Sequence, residues 1–299
     1  MTIDDTARVA VPEQPAAALA VPESAPPGPL SARVRGGWIL EAVALLGAAV
    51  LHELLRNAEM GKAAVALRNA KTLNSIERWL GIYHELEVQR FFLNWPFLID
   101  CWNVYYSTAH FLVPPAIAVF LYLKAPARYV RMRNTFLIML FITGPIGWLV
   151  FPVSPPAYLP KSYGFVDTQV KYFNIGPHVP LRYGPDGEPR QDIVDAIGNL
   201  YGGMPSHHVS WSLLCVVAIW PVVKRRWVKG LVLLHPLLTI GAITATGQHH
   251  FIDIAGSCIE VALALLLGIA LERALGRRRA RRQRRNLERG LAVGTPPNT

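Results

Sequence analysis

The sequence predicts an all-α integral membrane protein, built as a bundle of six transmembrane helices. Of its 299 residues, 52% are hydrophobic and only 17% are charged, whereas about a quarter of the residues in a soluble domain are charged. The apolar residues gather in long runs rather than in amphipathic stripes, and a bilayer core requires about 20 such residues per helix. Lys and Arg are concentrated in alternate connecting segments, as in membrane proteins that cross the bilayer several times.

Six runs approach this spanning length. Several of them contain Pro or Gly, which membrane helices tolerate better than soluble helices do. Buried helices of a soluble bundle are the alternative, but six spanning-length runs in one chain argue against it. In chain order the predicted spans cover residues 37–57, 99–123, 134–152, 205–223, 229–246 and 251–273.

The basic residues predict how the chain is oriented in the membrane. They follow the second, fourth and sixth runs, which lie on one side of the membrane if every run spans it. Because such residues prefer the cytoplasm, both termini are predicted to be cytoplasmic. The segments 58–98 and 153–203 then lie outside, the first as interfacial amphipathic helices and the second as a lid or binding loop. We expect a multi-pass protein of the plasma (inner) membrane with an extracytoplasmic active site.

Three regions are predicted along the chain. Residues 1–35, rich in Pro and Ala, have the composition of a disordered cytoplasmic tail. Residues 36–273 form the membrane domain, whose candidate catalytic motifs lie within 199–256. Residues 274–299 form a basic cytoplasmic tail. Its Arg residues, together with the net charge of +10, indicate contact with anionic lipid headgroups rather than with nucleic acid.

Two polar stretches, each at the start of a predicted span, carry the chemistry. The first runs from Gly202 to Trp211 and the second from Thr246 to Asp253. In the predicted topology both lie at the outer membrane face. His249 and Asp253 are four residues apart and share one face of a helix. A carboxylate on one imidazole nitrogen fixes the tautomer and makes the other nitrogen a better nucleophile.

The first stretch could supply an acid and an anion site. His208 begins a separate helix and could protonate a leaving oxygen, then accept a proton from an incoming hydroxyl. Ser206 and the backbone N–H groups from Gly202 onward, including that of Gly203, lie at a helix N-terminus, which favours phosphate. Phosphoryl transfer through a covalent histidine intermediate needs this set of groups and no metal.

The two motifs resemble those of a known family. Pro205-Ser206-His207-His208 is similar to the P-S-x-H motif of the type 2 phosphatidic acid phosphatase (PAP2) superfamily, and His249 to Asp253 is similar to its H-x-x-x-D motif. Pro152 to Pro156 resembles the Pro-Pro element of a branch that includes the inositol phosphorylceramide synthases. The resemblance covers about 100–273 well and 77–90 more weakly.

The resemblance implies a role for each motif residue. His249 would be the nucleophile that becomes phosphohistidine, Asp253 would activate it, and His208 would protonate the leaving group. The substrate-binding residues would be Ser206, Gly203, Pro155 and Pro156. The resemblance further implies a six-helix bundle open to the outer leaflet, with no metal or organic cofactor. The substrate would be a phospholipid or polyprenyl-type phosphoester, and water, inositol or a second lipid would accept the phosphoryl group.

The chain departs from the family in its basic residues. Better-known members carry a Ser-Arg pair shortly before the nucleophile, but residues 241–246 contain no basic residue. Relatives of the Pro-Pro branch often have Arg after that element, where this chain has 157–160 without one. Because phosphoryl transfer depends on neutralising charge, we expect a loop residue to supply it. The candidates are Lys161, Arg182 and Arg190.

Other interpretations of the histidines remain open. A zinc-dependent membrane hydrolase would use clustered imidazoles and a carboxylate as ligands, here His207, His208, His249, His250 and Asp253. A lipid or solute transporter without phosphoryl chemistry is disfavoured because no predicted span shows a charged residue in mid-membrane. His207 and His250 are interpreted as structural neighbours of the working pair. His110 is a better functional candidate than His235, although an interhelical hydrogen bond is the favoured role for each.

Overall fold

The computed structural model describes residues 37–58, 63–169 and 203–293, with side chains up to residue 286. These residues form eight α-helices. Their bounds are α1 Trp38–Ala58, α2 Ala63–Leu80, α3 Glu85–Leu93, α4 Pro96–Lys124, α5 Pro126–Val150, α6 His207–Ile219, α7 Arg226–Ala245 and α8 Phe251–Val293. The predicted tail 1–35 and most of the loop 153–203 lie outside the described residues.

Five of these helices, α1, α4, α5, α7 and α8, are long and apolar enough to cross a membrane. The chain is therefore a multi-pass, all-helical membrane protein, as predicted. The fourth predicted span, 205–223, differs from the structure because α6 has only 13 residues. A helix of that length is about 20 Å long, shorter than a bilayer core of about 30 Å. It begins at His207, two residues after Pro205, and ends at Ile219, where Pro221 disfavours helix in the preceding residue, Trp220.

The short helix α6 lies at the centre of the bundle. It packs against α4, α5, α7 and α8. Apolar side chains from these helices surround it in one core cluster that includes Leu121, Met139, Leu214 and Val261. The first residues of α6, which carry the P-S-x-H motif, are thereby placed among the ends of the neighbouring helices.

Helix α5 contains a π-helical turn, Met139–Thr143, which ends at Gly144. A Cβ atom at Gly144 would lie 2.6 Å from Nε2 of His207 and 2.7 Å from the carbonyl oxygen of Met139. A side chain therefore has no room at this position. The glycine lets α5 approach the start of α6 closely.

The segment between α1 and α4 forms two helices, α2 and α3, as the amphipathic pattern predicted. Leu67, Ala70 and Leu73 of α2 form a second apolar cluster with Val153 and Leu159, from the segment after α5. This cluster holds the Pro-Pro element against the helical bundle. The last helix, α8, has 43 residues and continues beyond the predicted end of the sixth span, through the basic segment that follows residue 273.

Candidate functional site

The connection between α7 and α8 presents His249. At the end of α7 the N–H of Gln248 donates to the carbonyl of Ile243, and that of Gly247 donates to the carbonyl of Thr244. This is the Schellman pattern of helix termination, which requires a left-handed residue. Gly247 supplies it, with φ of +70°. The chain then reverses, and His249 and His250 come directly before α8.

His249 is buried and held through Nδ1. This atom lies 3.0 Å from the carbonyl oxygen of Gly203 and 3.2 Å from Oδ2 of Asp253. A carbonyl oxygen and an ionised carboxylate can only accept hydrogen bonds. Nδ1 therefore carries the proton, and Nε2 keeps its lone pair. The predicted pairing of His249 with Asp253 is present in the geometry, and Gly203 supplies a second acceptor.

Asp253 is fully buried and serves two groups at once. Besides facing His249, its Oδ2 accepts the backbone N–H of His250 at 3.0 Å. Its other oxygen, Oδ1, has no hydrogen-bond partner among the described residues. The carboxylate thus fixes both the imidazole and the backbone turn that carries it.

His208 lies across from His249, on α6. The centroids of the two imidazole rings are 5.7 Å apart, with the rings edge to face. The ring of His208 is packed between Tyr106 and His110, each with its centroid at 4.2 Å. His110 in turn stacks on Trp211 at 4.0 Å. The structure therefore brings the two predicted histidines together, and His110 belongs to the stack that orients His208.

Ser206 precedes α6 and is fully buried. Its carbonyl accepts hydrogen bonds from the N–H of Ser210 and from Oγ of Ser257. Its own Oγ has no partner in the described part of the chain. The first N–H groups of a helix lack partners within that helix, so a donor hydroxyl and helix N–H groups occur together here. The N–H of Gly203, by contrast, is bonded to the carbonyl of Val153.

The Pro-Pro element lies beside the nucleophile's turn. Pro155 and Pro156 are buried, and the second begins a 3₁₀ turn, Pro156–Tyr158. The N–H of Ala157 donates to the carbonyl of Gly247 at 2.8 Å. The element therefore supports the turn that leads to His249. No contact in the described structure shows a role for these prolines in binding substrate.

The three basic candidates occupy different places. Lys161 is exposed, in the 3₁₀ turn Lys161–Tyr163. Arg182 and Arg190 lie outside the described residues. Burial and the neighbouring histidines lower the pKa of His208, and a smaller contribution comes from Arg56, a basic residue at the end of α1 that the sequence analysis missed. The fold brings Arg56 near His208, from which it is far apart in sequence.

A buried glutamate in α8 was also missed. Glu260 accepts a hydrogen bond from Oγ of Ser210 at 2.5 Å and one from Oγ1 of Thr143 at 3.4 Å. Nε2 of His207 lies 3.6 Å from the same carboxylate. Glu260 is about 14 Å along α8 from its start, so the expectation of no charged residue inside a span is wrong. His207 faces this carboxylate, which fits the structural role expected for it.

Three buried side chains of metal-ligand type meet at His250, the residue that follows His249. Glu77, Glu85 and His250 each have one ligand atom within 4.8 Å of the others. The described residues do not bring the five side chains of the zinc alternative together in this way. Both glutamates hold backbone groups at the start of α8. No sequence pattern pointed to them.

The fold and site define a class of protein: a multi-pass membrane protein with a buried His–Asp pair opposite a second histidine, at the N-termini of two helices. Comparison with known families is more specific. The sequence model of the PAP2 superfamily matches residues 71–267, and the chain belongs to that superfamily. It is therefore a membrane phosphatase or phosphotransferase, for which lipid phosphates are the implied substrates. No curated protein and no solved structure matches the chain.

Proposed function

We propose that the chain transfers or hydrolyses the phosphoryl group of a lipid phosphoester through a phosphohistidine at His249. The observation that carries the proposal is the pairing of Nδ1 with two acceptors, Gly203 and Asp253. It leaves Nε2 as the atom with a lone pair. An imidazole held in one tautomer by a carboxylate is an activated nucleophile.

The proposed reaction has two balanced steps. In the first, the Nε2 lone pair of His249 attacks phosphorus, the bond to the leaving oxygen breaks, and His208 gives that oxygen a proton. Burial and the neighbouring histidines lower the pKa of His208, and the negative charge of a bound phosphate would raise it. In the second, His208 takes a proton from water or another hydroxyl, whose oxygen attacks phosphorus while the P–N bond breaks. The carboxylate of Asp253 stabilises the positive charge that develops on the imidazole.

The phosphate oxygens need a site of positive potential. The N-terminus of α6 supplies backbone N–H groups and the hydroxyl of Ser206. We add Arg56 to Lys161, Arg182 and Arg190 as a candidate source of charge, because, after burial and the neighbouring histidines, its positive charge contributes to the lowered pKa of His208. Arginine is well suited to this role, since its planar fork matches phosphate geometry.

The proposal includes a site at the outer membrane face with both termini in the cytoplasm, as the distribution of Lys and Arg favours. The substrate class is a phospholipid or a polyprenyl-type phosphoester. The similarity of the Pro155–Pro156 element to the inositol phosphorylceramide synthase branch supports transfer to inositol or to a second lipid. Hydrolysis shares the first step and needs only water as acceptor.

The test measures phosphate release from a panel of lipid phosphates, with and without a metal chelator. Wild-type protein is compared with His249→Ala and with His84→Ala, a control at an exposed histidine. Release that survives chelation and is lost only in His249→Ala supports the proposal. If wild type releases nothing, transfer to inositol or lipid hydroxyls is measured next. Activity lost on chelation and restored by zinc would refute a metal-free mechanism.

One observation favours a second candidate, a lipid or solute transporter without phosphoryl chemistry. Ionisable residues buried in a membrane span often mark transport pathways, and Glu260 is such a residue. However, its carboxylate accepts a hydrogen bond from Oγ of Ser210 on a neighbouring helix. A residue with a purely structural role would make the same contact. Solute or lipid flux into vesicles with no turnover of any phosphoester would favour transport.

A further inference from the structure

We propose that Glu77 and Glu85 are positioning residues that, together with His250, fix the turn carrying His249 through one shared proton. This proposal rests on the proposed function. It adds to the reaction a pair of acidic residues that contact neither of the two proposed catalytic histidines. Both come from α2 and α3, the segment outside the five spanning helices.

The first contacts are with the backbone. Oε1 of Glu85 accepts the N–H of Phe251 at 2.8 Å, and Oε1 of Glu77 accepts the N–H of Ile252 at 2.8 Å. Asp253 takes the N–H of His250. Three consecutive N–H groups at the start of α8 are thus each bonded to a carboxylate. Negative charge at this end also complements the helix dipole.

Because of these bonds, the N-termini of α8 and α6 have different roles. The N–H groups at the start of α8 are engaged by side chains, so they do not contribute to a phosphate site. The N-terminus of α6 receives no side-chain cap from Ser206 and keeps its anion-binding potential. Helix α8 therefore places the nucleophile, whereas α6 is left to bind the phosphate. A loss at Glu77 or Glu85 should accordingly appear in turnover more than in substrate binding.

The remaining atoms of the two glutamates face one another and His250. All three side chains are buried. In the described part of the chain, three of their atoms have no hydrogen-bond partner: Oε2 of Glu77, Oε2 of Glu85 and Nδ1 of His250. Nδ1 of His250 lies 3.8 Å from Oε2 of Glu77. One oxygen of each carboxylate lies within 4.8 Å of the other, and two buried carboxylates at that separation cannot both ionise at low cost, so one of them holds a proton.

The surroundings decide which group is charged. Burial and the neighbouring Glu77 carboxylate raise the pKa of Glu85 to about 7. Burial alone would raise the pKa of Glu77, but His250, Glu85 and the N–H of Ile252 lower it overall. Burial lowers the pKa of His250, but the carboxylates of Glu77, Asp253 and Glu85 together raise it by more, so the pKa increases overall. Tyr83 also faces the two glutamates.

A cluster of neutral Glu85, ionised Glu77 and protonated His250 accounts for every contact. Nε2–H of His250 donates to the carbonyl of Ser154, 3.2 Å away. Its Nδ1 faces Oε2 of Glu77 at 3.8 Å, and a proton on Oε2 of Glu85 would face Glu77 as well. The cluster carries no net charge, which is the condition for leaving it buried without a cation.

The test exploits the difference between the two glutamates. A glutamine amide resembles a protonated acid, since it accepts at Oε1 and donates at Nε2. Glu85→Gln should keep kcat within about threefold of wild type. Glu77→Gln removes the negative charge that lies 3.8 Å from Nδ1 of His250 and should lower kcat by about 10- to 100-fold, the size of one charge-assisted hydrogen bond. KM should change little in either variant.

Glu87→Gln, at an exposed residue on the same helix as Glu85, is the matched control. Glu85→Ala should lose the activity that Glu85→Gln retains. If the two glutamine variants lose activity equally, or if Glu77→Gln is fully active, the shared-proton arrangement is refuted. Wild-type protein without turnover of any phosphoester would refute the proposed function instead.

A second measurement does not depend on activity. Infrared difference spectra of the full chain in detergent, recorded between pH 5 and 9, should show a buried protonated carboxyl group. The band should persist in Glu87→Gln and disappear in Glu85→Gln. Absence of the band in wild type would overturn the proposal, as would stoichiometric zinc in the purified protein that Glu77→Gln no longer holds.

Discussion

Asp253→Asn isolates the electrostatic part of the His249–Asp253 pair. Asparagine has nearly the same shape as aspartate, and its Oδ1 can still accept from Nδ1 of His249 and from the N–H of His250. Only the negative charge is removed. Because positive charge develops on His249 as the P–N bond forms, the loss should be larger in the transition state than in the ground state.

The observed separation gives the magnitude. Nδ1 and Oδ2 are 3.2 Å apart, and full unit charges at that distance attract by about 5 kcal/mol at an effective dielectric constant of about 20. Only part of the positive charge has developed in the transition state. About half of the attraction, some 2–3 kcal/mol, corresponds to a fall in kcat of about 30- to 150-fold.

The assay is steady-state phosphate release on whichever lipid phosphate the wild type uses, with KM measured in parallel. Asp100→Asn makes the same chemical change outside the H-x-x-x-D motif and is the control. Thermal unfolding in detergent establishes that the variant is folded. A folded Asp253→Asn protein with kcat within threefold of wild type would refute the argument that this carboxylate activates His249.

Three further predictions concern the surroundings of the pair. Gly247→Ala should destabilise the protein by at least about 1–2 kcal/mol because φ is positive at this residue. Gly230→Ala should not, because the space around Gly230 is open. Denaturant unfolding of the two variants tests this difference. Arg56→Gln should raise KM about tenfold, the size of one weakened ionic contact, and exposed Arg68→Gln should not. The pKa of Glu85 is raised from 4.5 to about 7, so its contribution to stability is lost as pH rises through that range. The unfolding temperature of Glu85→Gln should therefore rise relative to that of wild type as the pH is raised from 4.5 to 7. A difference between the two unfolding temperatures that does not change with pH would contradict this.

The sequence predicted the features that depend on local patterns. Hydropathy located the helices because a bilayer requires long apolar runs, and H-x-x-x-D placed His249 and Asp253 together because residues four apart share a helix face. Both motifs lie at helix starts, so a topology with alternating spans already put His208 and His249 on the same side. These predictions needed no tertiary information.

The features that were missed depend on contacts between distant segments. Glu77 lies in α2 and bonds to Ile252, and no spacing rule connects them. Glu260 was hidden because one carboxylate hardly changes the mean hydropathy of a run as apolar as 251–273. Arg56 was counted as the end of a span, and only packing of α1 against the bundle brings its charge to His208. The helix α6 is short because prolines flank it, and hydropathy alone does not take that effect of proline into account.

The arrangement explains how a site without the family's usual basic pair could still hold a reactive histidine. Phosphoryl transfer needs a positive surface for phosphate and a fixed nucleophile. In the proposed mechanism the two needs are met by different helix ends. The α8 end is covered by Asp253, Glu77 and Glu85. With Glu85 neutral and Glu77 balanced by His250, the charge of Asp253 remains, and it would repel a phosphate if the α6 end and a nearby cation did not attract it. Negative charge that fixes the nucleophile must therefore be matched by positive charge on the opposite side. Removing Arg56 should do more harm here than in a site that also has the family's usual basic pair.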